Sequence, residues 1–137
     1  MCKRGDIVVI SDFMDGGKRL PRHSFVVIDD DGGKIRGLDF DFVALMMSSF
    51  KDEAQKRKKL AYGTNFAIRA ADEEGMPEWA HGKEGYIKAE QFYYFNKSKT
   101  KIAEIGALNE DVLNELMDFI ESLAAQGITF REITENL

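Results

Sequence analysis

The chain reads as a mainly β domain with α structure, a small barrel with an amphipathic helix over one side. Three observations predict this. Short β-branched and aromatic runs recur along the first 105 residues, each bounded by Gly, Asp or Ser turn signals. One long stretch near the C-terminus carries apolar residues at helical spacing. At 137 residues and 15.5 kDa, with 44% hydrophobic and 31% charged residues, the chain is one domain, 1–137, able to bury a core.

The elements follow in order. Asp6–Ile10, DIVVI, is a first strand. Residues 11–22 read as a long loop turning at Asp15-Gly16-Gly17. Ser24–Asp29 is a second strand, apolar on both faces and therefore central. Asp29–Gly33 is a turn. Lys34–Leu38 and Phe40–Met47 read as strands, and Ser48-Ser49-Phe50 ends the latter. Lys51–Leu60, KDEAQKRKKL, is polar and helix-prone with no apolar stripe, so it is an exposed helix or ordered loop. Asn65–Ala70 is a strand candidate, and residues 71–85, with Pro77 and Trp79, form a loop in which Trp79 acts as lid or plug. Tyr86–Phe95 is an aromatic-rich strand and Lys101–Ile105 a short one.

The clearest element is a helix from Glu110 to Gln126. Asn109 is its predicted N-cap, Glu110 and Asp111 complement the first-turn dipole, and Gly127 stops it. Val112, Leu113, Leu116, Met117, Ile120, Leu123 and Ala124 form its apolar face. Residues 128–137 are either strand or a frayed tail.

Bulk properties exclude several classes. No segment approaches the ~20 apolar residues of a membrane helix, and Met1–Asp6 leads into a strand with no apolar signal region. A cytoplasmic location and no membrane partner are expected. Cys2 is the lone cysteine, so neither an internal disulfide nor a cysteine metal cluster is expected. His23 and His81 stand far apart, and Gly32-Gly33 is not followed by the Lys-Ser/Thr of a phosphate loop. No metal and no cofactor is expected.

The net charge of −5 argues against generic nucleic-acid binding. Its distribution softens that. Residues 101–137 hold two Lys/Arg and eight Asp/Glu, net −6, which leaves +1 for residues 1–100. The positive charge there bunches at 18–23 and 56–59, and only local charge acts within a Debye length of ~8 Å.

Lys18, Arg19, Arg22 and His23 crowd a turn that leads directly into the apolar run Phe25–Ile28. Cations held at the mouth of a rigid strand suit a phosphate; a solvated hairpin loop accounts for the same composition. Ser48 and Ser49 close another apolar strand. An imidazole to move a proton, a guanidinium to grip phosphate and a hydroxyl to donate to developing charge are the groups that metal-free phosphodiester cleavage needs. Taken singly, a serine pair at a strand end is an ordinary turn and His23 an ordinary packing histidine. Lys56-Arg57-Lys58-Lys59 is either an RNA-binding run or a solvated helix face. Tyr86, Phe92, Tyr93, Tyr94 and Phe95 are candidates to stack bases, with about half of them expected in the core.

Five segments, in order, resemble the MazF/PemK family of toxin endoribonucleases: Gly5–Val9, Arg22–Ile28, Leu45–Ser49, Gly85–Gln91 and Ile105–Leu113. The resemblance spans residues 5 to about 124. It implies an SH3-like barrel, a homodimer, metal-independent cleavage of single-stranded RNA, and an antitoxin whose acidic segment occupies the RNA groove. The family's catalytic arginine and threonine fall near Arg22-His23 and on Ser48. Aligned without a gap, His23 takes the arginine position and Arg22 lies one place early, after Pro21 instead of before a proline. Either His23 or Arg22 then moves the proton. Catalytic candidates are Arg22, His23 and Ser48. RNA-binding candidates are Lys18, Arg19, Ser49, Lys56, Arg57, Lys58, Lys59 and Gln91, the basic insertion at 51–64 extending the groove. A non-catalytic barrel of the same fold, binding a protein as a topoisomerase poison does or binding nucleic acid, is the alternative.

Overall fold

A computed structural model of the chain describes residues 2–31, 33–35, 38–80 and 84–137. The described residues form eleven strands and two α-helices: β1 (Asp6–Asp15), β2 (Lys18–Asp29), β3 (Gly33–Ile35), β4 (Leu38–Phe40), β5 (Phe42–Ser49), α1 (Glu53–Leu60), β6 (Asn65–Ile68), β7 (Glu73–Glu74), β8 (Gly85–Lys88), β9 (Gln91–Phe95), β10 (Lys101–Leu108), α2 (Glu110–Ala125) and β11 (Arg131–Ile133).

The main sheet runs β11-β9-β5-β2-β1-β10-β7, with β8 joining β5 and β6 joining β8. All its pairings are antiparallel except β11 on β9. The ladder is open, ending at β11 and β7. β3 and β4 pair antiparallel in a separate two-stranded sheet. The expected turn at 29–33 and strand at 34–38 fall partly outside the described residues.

The central position of β2 and β5 follows from their composition. Side chains alternate across a strand, so an unbroken apolar run needs cover on both faces. Val26 and Ile28 of β2, with Val43, Leu45 and Met47 of β5, join one cluster, against which α2 packs Leu113, Leu116 and Leu123. Phe25 and Val27, with Phe42, Ala44 and Met46, join a second cluster. There Phe25 meets Phe13, Tyr93 and Phe95 edge-on, with ring centroids 5.1–5.5 Å apart.

The segment 11–22, expected as a loop, is the arm of a β1–β2 hairpin. Ser11 pairs Arg22, Phe13 pairs Leu20 and Asp15 pairs Lys18. Gly16 and Gly17, at φ 60° and 82°, supply the left-handed turn. Distant residues hold the tip. Asp15 accepts from the Tyr93 hydroxyl at 2.6 Å and pairs Arg131 at 2.7 Å. The Glu135 carboxylate accepts from the N–H groups of Gly16 and Gly17, and Asn136 bonds the backbone of Met14 twice. The residues beyond α2 are thus a parallel strand and a clasp. Asp15→Ala would leave the buried Tyr93 hydroxyl only its long 3.4 Å bond to Gln91. A loss of about 1–2 kcal/mol is expected, read by urea denaturation.

Further corrections concern detail. The aromatic stretch 86–95 is two strands, broken by a turn at Ala89-Glu90. Asn109 holds the N-cap position of α2 as expected, but its side chain makes no cap bond; its amide donates to the Ala71 carbonyl at 2.8 Å. Ala124 is exposed, and Phe119 packs in its stead, against Phe66. The basic stretch is the helix α1, none of whose residues is buried, capped by Asp52, which accepts from Gln55 N–H at 2.7 Å. No helix among the described residues is long and apolar enough to cross a membrane.

Candidate functional site

The site forms where β2 and β5 part company. Their ladder ends at Ser24↔Met47. Beyond it β2 continues as the hairpin arm, while β5 turns to β8 through Ser48↔Tyr86 and Ser49↔Gly85. An open cavity of about 900 Å³ fills the divergence. Arg22, His23, Ser48 and Ser49 line it, joined by Lys51, Gln55 and Lys59 from the segment around α1, and by Trp79.

Alternation divides these groups. His23 shares a face with Phe25, and Ser48 with Met46. Arg22 and Ser49 share the opposite face, with Ser24 and Met47. The Arg22 guanidinium sits 5.2 Å from the centre of the Trp79 ring, an exposed cation–π pair. Trp79 is 58% exposed and forms the cavity's rim.

His23 is the site's titratable ring. Its Nδ1 lies 3.3 Å from the Ser24 carbonyl, which accepts from that nitrogen when it carries the proton. Burial holds its pKa below the usual histidine value. The Lys88 ammonium pushes the same way, and the carbonyls of Ser24 and Met47 partly offset both. At neutral pH the ring is an uncharged base.

Among the described residues, no acidic residue lines this cavity, while Arg22, Lys51 and Lys59 do. A locally cationic hollow therefore sits on a chain of net charge −5.

Other expected site residues lie elsewhere. Lys18 is at the hairpin tip, and Arg19 pairs Asp12 at 3.0 Å. Lys56 pairs Glu84 at 2.8 Å, outside the cavity. Arg57 and Lys58 are exposed on α1, so Lys59 alone of the four basic residues lines the cavity. Gln91 lies beside β11 and accepts weakly from the Tyr93 hydroxyl at 3.4 Å. His81 lies outside the described residues. Of the five aromatics offered for stacking, Tyr86, Tyr93, Tyr94 and Phe95 are buried, and Phe92 stacks on Phe130 at 4.9 Å. Their rings complete the core, and only Tyr86 reaches the cavity wall.

Two residues escaped the sequence reading. Lys88 is placed near His23 by the β5–β8 pairing, which no local pattern announces. Glu73, in a stretch read as loop, lines a recess behind the cavity. Burial, and secondarily the Asp72 charge, push the Glu73 carboxyl up to about 7. A carboxyl with a folded pKa above its unfolded one binds its proton more tightly when folded. Its cost is absent below pH 4.5 and grows as pH rises through 7. Glu73→Gln should therefore stabilise the fold by about 1–2 kcal/mol at pH 8 and leave it unchanged at pH 4, by denaturant titration at both pH values.

No protein-family model matches the chain, and no curated protein matches it in sequence.

Proposed function

We propose that this chain is a metal-independent endoribonuclease that cuts single-stranded RNA, a toxin of the MazF/PemK kind built on an SH3-like barrel. The reading rests on one observation: Arg22, His23 and Ser48, with Lys51 and Lys59, line one open cavity free of carboxylates among the described residues. Neutral His23 removes the proton of an RNA 2′-hydroxyl. The 2′-oxygen forms a bond to the adjacent phosphorus as the bond from phosphorus to the 5′-oxygen breaks, and the leaving 5′-oxygen takes a proton from water. Ser48 donates a hydrogen bond to the charge that develops, and Arg22 and the lysines hold flanking phosphates. The products are a 2′,3′-cyclic phosphate and a free 5′-hydroxyl. An antitoxin with an acidic segment would compete for the same cations, and a homodimer would present two such cavities.

Incubating purified protein with single-stranded RNA and EDTA tests this. Cleavage ending in cyclic phosphate is expected. Intact RNA, or equal cutting by an Arg22→Ala/His23→Ala double variant, would end the proposal.

The acidic net charge favours a second reading, in which the same barrel binds a protein target and cuts nothing. Growth arrest on expression with cellular RNA intact would select it.

A further inference from the structure

Behind the main cavity lies a recess of about 120 Å³, well under the ~300–1,000 Å³ of a drug-sized ligand site. It shares Ser24, Ser48, Ser49 and Trp79 with the cavity. Ile7, Ile68 and Met76 give it apolar walls, and Glu73 gives it a carboxylate. Glu73 pairs across the ladder with Leu108, a buried core residue, so its side chain projects on the core side of β7.

Among the described residues, none donates a hydrogen bond or an ion pair to this carboxylate. The adjacent Asp72 repels it and is itself held by Arg69 at 3.1 Å. A wholly apolar ligand would leave the acid buried and unmatched. A phosphate would be repelled. A lone carboxylate is too few ligands for a hard cation. What fits is one flat ring system with two adjacent donors on an edge.

Among RNA bases only guanine carries that pair, N1–H beside the 2-amino group. Adenine and cytosine each set an acceptor beside their donor, and uracil flanks its one N–H with carbonyls. We infer that the recess is a base-selective subsite for guanine, whose N1–H and 2-amino groups donate to the two Glu73 oxygens. The apolar walls and the Trp79 indole cover the ring, and the nucleotide's phosphate lies toward Arg22 in the main cavity. The assignment rests on the RNA reading of that cavity and adds its sequence preference.

Trp79 is the sole tryptophan, so intrinsic fluorescence reports the recess directly. The full chain would be titrated at pH 8, above the Glu73 value of about 7 so that both its oxygens accept, with guanosine, adenosine, cytidine and uridine, which carry no phosphate and cannot be cut. A saturable change is expected with guanosine at least tenfold tighter than with the other three. Glu73→Gln, an isosteric change checked for fold by circular dichroism, should weaken guanosine binding about 10–100-fold. No response to guanosine, equal responses to all four, or unchanged affinity in the variant would overturn the subsite. Guanosine selectivity without RNA cleavage would sink the nuclease and keep the subsite; cleavage with no guanine preference in binding or at the cut would do the reverse.

Discussion

His23→Ala should slow RNA cleavage by about 10²–10⁴-fold, the usual range for loss of a general acid–base group. The size follows from what no neighbour can replace. The other polar groups of the cavity are hydroxyls, an amide, two lysines and an arginine, and among the described residues lining it His23 is the one imidazole. The pH profile separates a proton-transfer role from a packing role. In the proposed role the ring acts in its neutral form, and burial with Lys88 lowers its pKa. The acid limb of kcat/KM should therefore fall below pH 6.5, with a plateau through neutrality. Replacing Lys88 by methionine should move that limb upward. The alanine variant should lose the limb entirely, while its unfolding midpoint at pH 7 moves little. A variant that keeps the limb would pass the proton to another group. The same shift acts on stability: the unfolded chain binds this proton more readily, so the His23 contribution is present above pH 6.5 and lost as pH falls below it.

Gly85→Ala should cost about 3 kcal/mol and disable the cavity. At Gly85 a β-carbon would run into the carbonyl of Ser48 and crowd the Cα of Ser49. Both are backbone atoms of β5, so no side-chain rotation relieves the clash. The strand must move, and it moves at Ser48 and Ser49, where β5 carries two of the cavity's hydroxyls. Chemical denaturation gives the stability loss. Ser49→Ala is the control, since an exposed hydroxyl is removed without touching the ladder, and its effect should stay within about 0.5 kcal/mol. Stability equal to that of the parent in Gly85→Ala would mean β8 does not hug β5 as described.

Much of this architecture is written locally. DIVVI, FVVI and the run ending in Ser48-Ser49 are apolar enough to demand central strands, and α2 shows its buried stripe. Since β2 and β5 are neighbours, ladder geometry brings the His23 and Ser48 ends to one place, so the core of the cavity was legible too. What local chemistry hides is decided at long range. The arm 11–22 alternates Phe13 and Leu20 among charges and reads as loop, because its anchors, Arg131, Glu135 and Asn136, lie more than a hundred residues away. The break at Ala89-Glu90 has no glycine or proline to mark it. Glu73 bears no motif at all; only the assembled recess makes its carboxyl unusual.

Among the described residues, the parting of β2 from β5 leaves 18–23 paired on one side only. A bare strand margin is a template on which a second molecule can zip, and such margins seed aggregates. Pro21 stands in the middle of this one and offers no N–H, while Lys18, Arg19 and Arg22 set like charges along it. The open end of the cavity is thereby kept from recruiting its own kind, and any self-association must find purchase on another side of the molecule.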